Sequence, residues 1–157
     1  MLRWLWLSLV VVIFDQVSKQ LVESNFLVFE VEPVLPYLNL TLVYNEGAAF
    51  SFLSDQDGWQ RWFFILIGLM VSLVLIIWIS RLAANQRLGA VALSLVVGGA
   101  LGNILDRLFF GHVVDFIDLY YGDWHWPAFN VADSAITLGV ILMLVQTVRE
   151  EYRGRAM

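Results

Sequence analysis

Four apolar stretches decide what this chain can become. Leu2–Val22, Trp62–Ile79, a third from Leu88 through Leu105 to about residue 107, and Val131–Val148 follow one another along 157 residues. Each is close to the roughly 20 residues that carry a helix across about 30 Å of hydrocarbon. Inside a bilayer the backbone must satisfy its own hydrogen bonds, so such stretches read as helices. The chain is 60% hydrophobic, against about 45–50% for a soluble domain, and a bilayer accounts for the excess. The expected fold class is therefore a membrane protein, mainly α, built as a four-transmembrane-helix bundle. One domain is expected over residues 1–157, with outer segments at 23–61 and 108–130. The first stretch is expected to be a retained span and not a cleaved leader, because Asp15 and Lys19 interrupt the place for a small-x-small cleavage site.

The basic residues orient the bundle. Arg3 precedes the first stretch, Arg81 and Arg87 flank the link between the second and third, and Arg149, Arg153 and Arg155 follow the fourth. No Lys or Arg lies between Val22 and Gln60 or between Leu108 and Val148. The positive-inside rule then predicts cytoplasmic termini and a cytoplasmic 80–87 link. Trp59, Trp62, Trp124 and Trp126 gather near the outer ends, at the depth that such rings prefer. In the first outer segment, Tyr37 to Tyr44 alternates polar and apolar in its first part, the period of a half-buried strand. Phe26–Val31 is expected as its partner strand, with Pro33 and Pro36 limiting the turn between them. A small extracytoplasmic β-sheet is expected on the membrane surface. The aromatic and acidic 109–127 segment is expected to lie along the interface.

Chemistry has few carriers here. There is no cysteine, and the two histidines, His112 and His125, lack metal-ligand spacing. No Gly-x-Ser-x-Gly elbow, glycine-rich phosphate loop or basic nucleic-acid patch is present. Carboxylates remain, and membrane segments exclude these unless something needs them. Asp115 stands in Val113-Val114-Asp115-Phe116, and Asp133 in Phe129-Asn130-Val131-Ala132-Asp133.

Each candidate also has a plain account. Asp15 and Lys19 share a helix face four residues apart, and an ion pair that lets two charges enter the bilayer is the favoured reading. Asn45-Glu46-Gly47-Ala48-Ala49-Phe50 is an adequate turn, or a place where an amide meets a peptide backbone. Gly98, Gly99, Ala100 and Gly102 form a small-residue stripe whose usual meaning is close helix packing. Asn103 and Arg107 share a face near the outer end. Arg107 either snorkels to headgroups, pairs with Asp106 or Asp115, or supports an acid. Asn130-x-x-Asp133 alone is close to a capping box, and Asp115 and Asp118 alone would pass as solvated loop charges. These accounts weaken together, because both aspartates, Asn103 and Arg107 reach one depth.

Taken in order, Asp15-Gln-Val-Ser18-Lys19, Asn45-Glu-Gly47-Ala48-Ala49-Phe50, Gly102-Asn103-Ile-Leu-Asp106-Arg107, Val114-Asp115-Phe116 and Phe129-Asn130-Val-Ala132-Asp133 resemble the lipoprotein signal peptidases of bacteria, also called signal peptidase II. The resemblance covers nearly the whole chain. It implies an aspartic endopeptidase of the cytoplasmic membrane, active near its outer face. Its implied substrate is a prolipoprotein carrying a lipidated cysteine, cut just before that cysteine. Asp115 and Asp133 are implied as the catalytic dyad. Asn45, Gly47, Asn103, Arg107 and Asn130 are implied to line the substrate site, supported by Asp15 and Lys19. Inhibition by globomycin-type antibiotics, contact with membrane lipids, a monomeric state, and the absence of cofactor, metal and nucleic acid complete the expectation. Two other classes stay open on the residues alone: a proton- or ion-coupled transporter, and a scaffold in which Asp133 merely caps a helix.

Overall fold

The computed structural model describes residues 1–47 and 58–155, so Ala48, Ala49 and Phe50 of the Asn45 motif lie outside the described residues. A 3₁₀ turn over Leu2–Trp4 leads into α1 (Leu5–Asn25), followed by β1 (Val31–Leu35) and β2 (Leu38–Asn45). Then come α2 (Trp59–Arg81), α3 (Arg87–Phe109), β3 (Val113–Tyr121), β4 (Trp124–His125) and α4 (Val131–Arg155). Among the described residues four helices are long and apolar enough to cross a membrane. They cover the four stretches expected from hydropathy and run a few residues further at most ends.

The helix α3 is the axis of the bundle. In its apolar window 61% of residues are buried, against 28% for α1 and 17% for α2 and α4. Small residues explain how its neighbours come so close. A Cβ on Gly98 would stand 2.9 Å from the Ser8 backbone of α1, and one on Gly102 would stand 2.6 Å from Asp15 Oδ2. Gly99 makes the same close approach to the Ala132 carbonyl of α4. The stripe therefore packs two helices, as its spacing predicts. By contrast α2 keeps Trp62, Leu66, Leu73 and Val74 exposed, as a helix facing lipid should.

The β-strands form one antiparallel sheet in the order β1-β2-β3-β4. One expectation is corrected here. The partner of β2 is Val31–Leu35, not Phe26–Val31: Pro33 is tolerated because β1 is an edge strand, and Pro36-Tyr37 makes the turn. Tyr37 has φ 71°, so a proline precedes a left-handed residue, the pattern of a type II turn. The chain before β1 turns instead, with Phe29 at φ 66°. The 109–127 segment, expected along the interface, is more than a loop. It supplies β3, a central strand whose Val113, Val114 and Phe116 are buried. Val114 and Phe116 pack with Val22 of α1 and Leu42 of β2, which pins the sheet to the bundle.

A bulge in β2 decides which side chains reach which face of the sheet. Leu40 pairs with Ile117 and Val43 with Asp115, so β2 spends three residues where β3 spends two. Without the extra residue Asn39 and Asn45 would share one face of the sheet. With it, Asn39 faces Asp118 on one side and Asn45 faces the Asp115 side.

Candidate active site

Asp115 is the third residue of β3 and is 2% exposed. Two amides hold it: Asn45 Nδ2 donates to Oδ2 at 2.9 Å, and Asn130 Nδ2 donates to Oδ1 at 2.7 Å. Asn45 is placed by an Asx turn, its Oδ1 accepting the Gly47 N–H at 3.0 Å. Asn130, fully buried, ends the loop from β4 and starts α4.

The start of α4 explains Asp133. Asn130 Oδ1 accepts the Asp133 N–H at 2.9 Å, an N-cap of the expected kind. The capping reading therefore accounts for Asn130. It does not account for the Asp133 carboxylate, which turns to Asn103 Nδ2 at 2.8 Å. The other early N–H of α4, from Ala132, goes to Asp15 Oδ1 at 2.9 Å. An acid on α1 thus completes the cap of α4.

Both aspartates line one cavity of about 660 Å³, together with Asn45, Asn103, Arg107 and an apolar wall that includes Phe129 and Ile141. Burial, and after it the charge of Asp133, pushes the Asp115 carboxyl up to about 7. The amides of Asn45 and Asn130 and the Lys19 charge oppose that rise without cancelling it. A carboxyl that holds its proton near neutrality, beside a second carboxyl, is the arrangement that lets one acid donate while the other accepts.

Arg107 lines the cavity as expected. It pairs with neither Asp106 nor Asp115. Its Nη2 donates to the Gly47 carbonyl at 2.7 Å and its Nη1 to the Asn103 carbonyl at 3.3 Å, and the guanidinium lies 5.1 Å from the Phe64 ring centre. Behind the cavity, Lys19 Nζ pairs with Asp15 Oδ2 and with Asp106 Oδ2, each at 2.8 Å. The pair expected within α1 is a triad of ions. Asp106, named from the sequence only within its motif and as a possible partner of Arg107, and Gln16, which donates to Asp106 Oδ1 at 2.6 Å, are polar residues of this region that were not among the expected site residues. The signal was present: Asp106 follows Asn103 by three, which puts both on neighbouring faces of α3. Among the described residues no group of His, Cys, Asp and Glu is arranged to hold a metal ion.

The chain is similar to known proteins over nearly its full length. A family model described as signal peptidase (SPase) II matches residues 7–149. A lipoprotein signal peptidase of Photorhabdus laumondii is 53% identical over 146 residues, covering 93% of this chain and 87% of the relative. One from Pseudomonas fluorescens is 50% identical over 157 residues, covering 99% and 92%. Two solved structures described as bacterial membrane enzymes share the fold. One has a TM-score of 0.85 at 35% identity, covering 95% of this chain and 89% of the other. The second has 0.81 at 36%, covering 92% of each.

Proposed function

This chain belongs to the signal peptidase II family, and on that footing we propose that Asp115 and Asp133 carry out its peptidase reaction. The protein is a multi-pass membrane protease that removes signal peptides from prolipoproteins. What supports the proposed dyad is one observation: carboxyls from β3 and α4 line a single cavity, and the charge of one helps to hold the proton of the other.

The chemistry runs through one water. Asp133 stands in the first turn of α4, where the helix dipole favours its anion. It takes a proton from the water, whose oxygen bonds to the scissile carbonyl carbon. Asp115 gives its proton to the carbonyl oxygen. As the C–N bond breaks, the leaving amine receives the proton that Asp133 took, and one hydroxyl of the collapsing diol returns a proton to Asp115, which leaves a carboxylic acid and restores the dyad. The scheme needs no cofactor and no covalent intermediate. Asn45 and Asn130 aim Asp115, Asn103 aims Asp133, and Arg107 fixes the Gly47 carbonyl at the rim. Asp15 and Lys19 support the start of α4.

The finer substrate is what the family resemblance implies, a cut just before a diacylglyceryl-modified cysteine. The apolar wall of the cavity along α4 and its polar end at the aspartates are compatible with a peptide that carries lipid chains. The arginine pattern puts the termini in the cytoplasm, the sheet outside, and the site near the outer face of the bacterial inner membrane. The 157 residues act as one domain and as a monomer in contact with lipid, and globomycin-type antibiotics block the cavity. The test is a gel-shift assay of a lipid-modified precursor, with mass analysis of both products. Wild type should give a product that begins with the lipidated cysteine. Asp115→Asn and Asp133→Asn should insert and give none. Processing by both variants would refute the scheme.

A further inference from the structure

The two backbone segments that bear Asp115 and Asp133 are each tied down one residue before the acid. The Val114 N–H donates to Asp106 Oδ2 at 3.2 Å, and the Ala132 N–H donates to Asp15 Oδ1 at 2.9 Å. The two accepting carboxylates meet on one ammonium, since Lys19 Nζ lies 2.8 Å from each. The same ammonium donates to Asn103 Oδ1 at 3.1 Å, and Asn103 holds Asp133. Gln16 Nε2 adds a second bridge, at 2.6 Å to Asp106 Oδ1 and 3.2 Å to Asp15 Oδ2.

We propose that Asp15, Lys19 and Asp106 form a positioning clamp, in which one ammonium sets the separation of the two backbone segments carrying the dyad. The proposal rests on the reading of Asp115 and Asp133 as the catalytic acids. Burial of three ions is a poor route to stability, because well-packed apolar side chains of similar volume often do as well or better. Here Asp15, Lys19 and Asp106 are 0%, 2% and 1% exposed, and none of them lines the cavity. What they do touch are two backbone N–H groups on segments that are distant in sequence. An ammonium with three directed protons, two of them on carboxylates that are themselves hydrogen-bonded to backbone, leaves those segments little freedom to separate. The intrahelical pairing of Asp15 with Lys19 explains neither Asp106 nor the two backbone bonds.

The experiment compares Asp106→Leu, Asp106→Asn and Lys19→Met/Asp106→Asn with wild type on the lipid-modified precursor. Asp106→Leu deletes the acceptor for Val114, whereas Asp106→Asn keeps one. The double variant leaves one carboxylate in place of two carboxylates and an ammonium, so the net charge of the cluster is that of wild type while the tie is cut, and with it the Lys19 bond to Asn103. We expect kcat to fall about tenfold or more in Asp106→Leu and in the double variant, with KM within about twofold. Asp106→Asn should recover most of the loss. The alkaline limb of the pH profile should move to lower pH in Asp106→Leu, because Asp115 further from Asp133 feels less of its charge; the double variant is read on kcat and KM, because the lost Lys19 charge moves the limb the other way. A merely structural role would lower Tm and leave the kcat-against-KM split and the pH limb where they are. Should Asp106→Leu not accumulate, the charge-matched double variant carries the comparison. A folded double variant with wild-type kcat overturns the clamp. Cleavage near the wild-type rate by both Asp115→Asn and Asp133→Asn in the same assay overturns the dyad beneath it, which keeps the two failures distinct.

Discussion

Asp115 and Asp118 stand three residues apart on β3, and the pleat sends them to opposite faces. Both are buried, at 2% and 7% exposed. Both accept an amide from β2: Asp115 from Asn45, and Asp118 from Asn39 at 2.8 Å. The bulge in β2 is what lets one strand serve both faces. They differ in the third partner. Asp118 meets His125 Nδ1 at 2.9 Å, a group that can donate to it or pair with its charge. Asp115 meets the field of another carboxylate, Asp133, across a cavity. Burial and hydrogen bonding therefore do not distinguish a working acid from a structural one. A like-charged neighbour brought in from another segment, next to space for a substrate, does.

Neutralising each acid in turn puts the most strain on this contrast. Asp115→Asn should lower kcat by about 10³-fold, within the range of lost general acid–base catalysis, while Asp118→Asn stays within about threefold of wild type in the same assay. Equal losses would erase the distinction. Next in size is the pH dependence. With Asp115 pushed up to about 7, kcat should fall about tenfold per pH unit well above that value as the acid loses its proton. Asn45→Ala probes the same group, because the Asn45 amide favours the ionised form of Asp115. Removing it should move the alkaline limb to higher pH by about half a unit; a shift the other way speaks against the assignment.

Stability supplies the smallest effects. A carboxyl whose folded value lies above its unfolded value contributes stability that is fully present below the ordinary carboxylate range. That contribution is lost as pH rises through the folded value, here about 7. Asp115→Asn should therefore raise Tm by a few °C at pH 8 and by little at pH 4.5. Asp118→Asn should cost about 1 kcal/mol through its bonds to Asn39 and His125, seen as a Tm drop of about 2–4 °C.

Much of the fold was legible because lipid is a strict judge of sequence. Long apolar stretches have one way to satisfy their backbone, so the four helices followed from hydropathy, and the glycine stripe marked the closest packing. The sheet was harder. Pro33 disguised an edge strand, and Asp115 and Asp118, at a spacing of three, broke the alternation that would have announced β3. The solvated-loop account of both acids failed for the same reason: their burial comes from α1 and β2, which are far away in sequence. Asn130 was legible as a cap. The turn of the Asp133 side chain away from that cap, toward Asn103, depends on a helix that no local pattern contains. The role of Asp15 in capping α4 needed the close approach at Gly102, which only the packed bundle reveals.

The proposed chemistry stands or falls on Asp115 and Asp133 facing one another closely enough for one to govern the proton of the other. Infrared difference spectroscopy on isotope-labelled aspartate can follow the protonated carboxyl band directly, even in inactive protein. Wild type should lose a band near pH 7, Asp115→Asn should lack it, and Asp133→Asn should show it titrating at lower pH because the neighbouring charge is gone. A band that titrates at the same pH with and without the Asp133 carboxyl would refute the coupling.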